Sequence, residues 1–326
     1  MRAIGAALLG LAALAWTPAL AESGGAPMKP AEVCLIYPGP QDALADRVGL
    51  FEMGLREQRL VIGRDVAVSG YAGSGDAGAL ARAAAGCVAR DVRAIAAVAS
   101  AVAAAHAATR IIAIVALDLE TDPVAVGVVE SLAHPGGNVT GVYFDFPDFI
   151  AKQLELLNEA TPGLRRIAVL WDPATNDIQL RAVRALAKTR GLVLIEQEIT
   201  EIAALGPRFQ AFVEGRAQAL LILSSPQVVL HRASLAALAL AHRLPAITMF
   251  PEFAQAGGLM GYGPTTLVLY GTIGETTGKI LRGAKPADLP IDRPARLSLV
   301  VNLATAKKLD VTIAPALLGR ADEVVE

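Results

Sequence analysis

The residues with chemistry to offer stand where apolar runs end. The run IIAIVAL (111–117) leads straight into three carboxylates, Asp118, Glu120 and Asp122. An acid directly after a buried strand needs a cation, a donor or water. Asp118 and Glu120 are suited to take an ammonium or hydroxyl group by charge-assisted hydrogen bonds. Asp122 precedes Pro123 and reads as the N-cap of a short helix, Val124–Leu132. Tyr37, Phe144, Trp171, Phe250 and Tyr262 end or follow other apolar runs, with Ser100, Asp145 and Ser224 in equivalent places. Gathered together, these residues make a pocket with aromatic walls and a few polar anchors. Trp171 or Phe144 would stack on a flat ligand. Ser100, at a helix start, would hold a carboxylate together with backbone N–H groups.

Each of these residues also has a plainer reading. Ser100 caps its helix, Asp172 starts a turn before Pro173, and Trp171 packs between layers. No Arg or Lys ends a predicted strand in the first half, which argues against a multiply charged anion as ligand.

Signals for catalysis are sparse. His106, His134, His231 and His242 are scattered, none at metal-ligand spacing, and no G-x-S-x-G elbow occurs. GSGDAG (73–78) has the form of a dinucleotide fingerprint, but it follows the second strand, and the next strand ends at Ser100 with no acid for a ribose. Asn138-Val139-Thr140 is a glycosylation sequon, yet Gly136-Gly137-Asn138 reads as a tight turn. No metal and no cofactor are expected, and an enzyme is the least favoured class.

The elements that must position these residues alternate. Strands are expected at 33–37, 65–71, 94–99 and 111–117, with helices at 41–58, 76–90 and 102–109 between them. After a further strand, 139–144, the pattern restarts. Helices at 149–160, 179–190, 203–215 and 228–242 alternate with strands at 166–171, 193–198, 219–223 and 245–249, and GGLMGYG adds a short strand. A helix at 267–282, a Pro-rich connector, a strand at 297–301 and a helix at 303–309 close the chain. This alternation predicts an α/β fold of two doubly wound parallel-sheet lobes with a hinged cleft between them. The expected lobes are 32–142 with 263–288, and 143–262 with 289–326. In such sheets ligands sit at the carboxyl ends of strands.

The chain has 326 residues, enough for two domains, and a net charge of −2 (29 Lys and Arg against 31 Asp and Glu). That balance provides no electrostatic drive toward nucleic acid or an anionic membrane. Arg2, an apolar stretch Ile4–Trp16 and Ala19-Leu20-Ala21 form an export signal (1–21) cleaved after Ala21, followed by a flexible leader, 22–31. No Cys stands at the cleavage point for a lipid anchor. The only cysteines are Cys34, in the first strand, and Cys87, on an apolar helix face. An oxidising compartment permits a disulfide, but two separate buried thiols are the expectation.

Five long segments resemble ABC transporter substrate-binding proteins of the tryptophan/tyrosine type. They are DPVAVGVVESLAHPGGNVTG, KQLELLNEATPGLRRIAVLWDP, RLPAITMFPEFAQAGGLMGYG, TGKILRGAKPADLPIDRP and LVVNLATAKKLDVTIAPALLGRADEVVE. The resemblance implies a type I periplasmic-binding-protein fold, a periplasmic location, a small-molecule ligand and an ABC permease as partner. An aromatic or branched amino acid, or an aromatic carboxylate, is the ligand it suggests. Tyr37-Pro38-Gly39-Pro40, VASAVAAA and DLETD depart from the family pattern in ligand-contacting loops, so the ligand itself does not carry over. The expected role is solute capture by a monomer for import. The alternative is a ligand-sensing module for a receptor or sensor kinase.

Overall fold

The structure, a computed structural model, describes residues 29–118, 122–144, 146–173, 177–199, 201, 204–294 and 296–326. The expected export signal and most of the leader lie outside these residues. So do Glu120, Asp145 and the side chain of Asp118.

The first sheet holds β1 (Ala31–Tyr37), β2 (Val66–Ala72), β3 (Ala94–Val98), β4 (Ala113–Asp118) and β5 (Val139–Tyr143). All are parallel, in the order β2-β1-β3-β4-β5. The order reverses between β1 and β3, the place where a doubly wound sheet opens a crevice. Helices α1 (Leu44–Glu57), α2 (Ala77–Ala89) and α3 (Ser100–Ala108) connect these strands. Each strand is nearly continuous apolar sequence because both faces are covered.

The second sheet follows α4 (Phe146–Ala160). It contains β6 (Arg166–Trp171), β7 (Val193–Glu198), β8 (Ala219–Ile222), β9 (Ala246–Thr248), β10 (Met260–Gly263), β11 (Ser298–Asn302) and β12 (Glu323–Val325), in the order β12-β11-β10-β9-β8-β6-β7. Its helices are α5 (Ile178–Arg190), α6 (Gly206–Glu214), α7 (Pro226–Leu230), α8 (Arg232–Ala241), α9 (Glu252–Gln255), α11 (Leu303–Leu309) and α12 (Pro315–Leu318). β11 runs antiparallel to β10, so this sheet is mixed at one edge.

Helix α10 (Thr266–Leu281) leaves β10 and returns to the first sheet, packing along α1. The two helices meet through glycine. A Cβ on Gly54 would stand 2.0 Å from the Gly271 carbonyl oxygen, and one on Gly274 would stand 2.2 Å from that of Phe51. Next, Leu289–Asp292 stay with the first sheet. The Thr140 hydroxyl donates to the Leu289 carbonyl, and the Asp292 amide donates to Gly141. The final return to the second sheet therefore falls after Asp292.

Three local readings are corrected. Val124–Leu132 is not a helix. The Asp122 carboxylate does accept from the amides of Val124 and Ala125. However, Gly127 turns left-handed at φ +70° and ends the turn at once, and Val-Val flanking it has weak helix propensity. The helix expected over 228–242 is two, broken at His231. The cysteines are bonded: Cys34 and Cys87 form a disulfide across 6.3 Å between Cα atoms. Burial of both side chains suggested inert thiols, but α2 lies directly on β1 and brings them within bridging distance.

Candidate functional site

A pocket lies between the two sheets where their strands end. Its space is about 450 Å³, mouth included. From the first sheet it takes Tyr37 at the end of β1, Val98 at the end of β3 with Ala99 just after it, and Leu117 in β4. From the second it takes Ser224, Ser225, Pro226 and Val229 after β8, and Phe250 after β9. The walls are completed by Arg47 from the first turn of α1 and by Thr266, Leu269 and Tyr270 from α10.

Local chemistry explains how the walls hold their shape. Ala99 sits at φ +47°, an unfavourable region for a residue with a Cβ. Its amide donates to the Leu117 carbonyl, which ties the turn after β3 to β4. Across the cleft, buried Gln179 grips the loop after β8 from behind: its amide NH₂ donates to the Ser224 carbonyl, and its oxygen accepts from the Ser224 amide. The Ser225 hydroxyl accepts from the Val228 amide and caps α7. Glu252 of α9 accepts from both the amide and the hydroxyl of Thr266, linking the second sheet's layer to the start of α10.

The lining is largely apolar, with hydroxyls and one cation. Burial is the main cause that pushes the Tyr37 phenol pKa up, and the positive charge of Arg47 works against it. Tyr270 is buried and pushed up further by desolvation, with neighbouring Tyr37 adding to the effect. Both phenols are therefore neutral donors at physiological pH. The Arg47 guanidinium stands 5.6 Å from the centroid of the Tyr270 ring, a cation–π distance.

Of the residues expected from sequence, Tyr37, Ser224 and Phe250 come together in this pocket. Ser100 is the exposed first residue of α3, and Ala99 occupies the cap position. Phe144 is buried among Phe146 and Phe149, at ring-centroid distances of 6.1 and 5.8 Å. Tyr262 stacks on Phe149 at 5.4 Å. Trp171 ends β6 half-buried against the main core. None of these four lines the pocket. Arg47, Tyr270 and Thr266 were not expected, because they belong to helices and the topology rule points to strand ends. For Arg47 a signal existed: it follows Leu44 by three residues and precedes Phe51 by four, so it shares their core face.

The matching family is that of the ABC transporter substrate binding proteins, which covers residues 32–325. The chain belongs to that family. A tyrosine-binding protein of Clostridioides difficile (strain R20291) is 26% identical over 195 residues, 59% of this chain and 55% of that one. The chain thus matches about half the length of this curated relative. Among solved structures, the ABC domain in complex with L-Trp from Streptococcus pneumonia superposes with a TM-score of 0.78 at 21% identity, covering 91% of this chain and all of that one. A ligand-free, open substrate binding protein from Clostridium difficile gives 0.65 at 22% identity, covering 90% of this chain and 99% of that one. The fold is that of type I periplasmic binding proteins.

Proposed function

We propose that this protein captures a small organic ligand in the interlobe pocket and delivers it to an ABC permease after export to the periplasm. One observation carries the reading: a pocket whose walls come from both sheets and from the helix that crosses between them. A ligand touching both halves binds the closed arrangement better than the open one, and closure requires that difference. The chain passes between the sheets after Tyr143, after Gly263 and after Asp292. Those segments are the proposed hinge.

The ligand class we propose is an aromatic or branched amino acid or an aromatic carboxylate. Tyr37 and Phe250 supply flat walls and Ser224 a hydroxyl, with Asp118 and Glu120 taking an ammonium where the ligand has one. Among the described residues no group of His, Cys, Asp and Glu could hold a metal, and no helix is long and apolar enough to cross a membrane. The family and its structural neighbours are binding proteins, which supports a carrier rather than an enzyme. The test is a thermal-shift screen over amino acids, aryl carboxylates, sugars and nucleosides. A rise of several degrees with one class, together with a smaller radius of gyration in solution scattering, is the expected result. A ligand that raises Tm without compaction would contradict closure.

A further inference from the structure

Arg47 is out of place for a structural residue. It lies in the first turn of α1, on the helix face that carries Leu44 and Phe51 into the core. It is half-buried in a mostly apolar pocket, where a charge without a counter-ion is unfavourable. No carboxylate pairs with it among the described residues. Its surroundings are the Tyr270 ring at 5.6 Å and the Tyr37 side chain. Seven arginines on the protein's surface, Arg56, Arg64, Arg82, Arg181, Arg184, Arg243 and Arg320, each meet an acid.

We infer that Arg47 is the anchor for the ligand's carboxylate, and that the pocket selects compounds with one carboxylate on a flat apolar body. This rests on the binding reading above and deepens it. A guanidinium presents paired N–H donors that match a carboxylate's two oxygens. The neutral phenol of Tyr37 stands beside it as a further donor. Val98, Leu117, Val229, Phe250 and Leu269 leave an apolar space for the rest of the ligand. Arg47 is the one cation in the described lining, so a second anionic group would find no partner. This anchor takes the role that sequence had given to Ser100.

The test uses three matched compounds on each of three rings: phenyl, 4-hydroxyphenyl and indole. Each set comprises the 3-aryl-propanoate, the corresponding L-amino acid and the corresponding arylethylamine. Titration calorimetry is run on the mature protein and on its Arg47→Gln and Arg47→Lys variants. Carboxylate-bearing members are expected to bind and the amines are not. Arg47→Gln should weaken binding about 10- to 100-fold, with Arg47→Lys intermediate. The unliganded Arg47→Gln variant should melt at or above the wild-type temperature, because it removes a half-buried charge that no described carboxylate pairs with. A structural arginine would give the opposite shift. Amines binding as well as acids, or full affinity in Arg47→Gln, would overturn the anchor and leave the binding protein standing. Binding confined to sugars or nucleosides would do the same. If no small molecule of any class binds, both readings fall.

Discussion

Two glycines on one helix should respond to the same substitution with opposite signs. Gly54 in α1 faces α10 so closely that an added Cβ would lie 2.0 Å from the Gly271 carbonyl oxygen and 2.8 Å from the Glu275 amide nitrogen. Ordinary contact begins at 3.4 Å, and the obstacle is backbone, so the helices must part by more than an ångström. Overpacking of this kind costs about 1–3 kcal/mol, and a rigid backbone obstacle belongs at the upper end. Helix propensity returns about 1 kcal/mol on replacing glycine by alanine. The net loss for Gly54→Ala is therefore about 2 kcal/mol, or roughly 4–8 °C in Tm. Gly49, five residues earlier, would place its Cβ in open space. Gly49→Ala should gain about 1 kcal/mol and melt roughly 2–4 °C higher. Calorimetric melting of the two variants beside wild type decides the matter. Because α1 carries Arg47 and α10 carries Tyr270, Gly54→Ala should also weaken ligand binding, whereas Gly49→Ala should not. Equal Tm shifts in the two variants would refute the close-crossing argument.

Other expectations follow from the same packing. Replacing both Cys34 and Cys87 by Ala opens a covalent loop of 53 residues. That should cost about 4 kcal/mol in denaturant unfolding; a loss under about 1 kcal/mol would mean that the bridge constrains little. Gln179→Leu leaves both the Ser224 carbonyl and the Ser224 amide without their buried partner. It should destabilise by about 2–4 kcal/mol and slacken the pocket wall, detected as a lower Tm and weaker ligand binding. A shift below 1 °C would show that water replaces the glutamine. On the surface, Arg64 and the Val61 amide hold the Asp65 carboxyl down to about 2, against an ordinary 3.8. A depressed acid stabilises above its unfolded pKa, and that contribution is lost as pH falls through the folded one. The Tm gap between wild type and Asp65→Asn should be present at pH 7 and vanish near pH 2. A gap independent of pH would refute the assignment.

The sheets were legible in the sequence because their strands are short apolar runs ending in Gly, Pro or Asp, with helices of clear periodicity between them. What escaped were features set by distant neighbours. β12 (Glu323–Val325) is a three-residue Glu-Val-Val segment, too short to show an alternation, and it is a strand only because β11 lies beside it. Val124–Leu132 has the cap and proline of a helix, but one left-handed glycine overrides them. At the site, Tyr37, Ser224 and Phe250 were found because strand ends face the cleft by topology. Arg47 and Tyr270 were not: the place where a helix crosses the cleft depends on the glycine contact between α1 and α10, and the spacing of Arg47 with Leu44 and Phe51 marks only its face of the helix. The disulfide was missed for the same reason: its two cysteines are brought together by the docking of α2 on β1.

The central claim, that the pocket holds a small ligand, is tested most directly by native mass spectrometry of the protein recovered gently from its own cell envelope. A single small organic molecule bound one to one, retained in the native spectrum and released on unfolding, is the result expected. Its identification as a compound with one carboxylate would also bear out Arg47. Only the bare mature mass, with no shift in Tm across the full compound screen, would contradict the account.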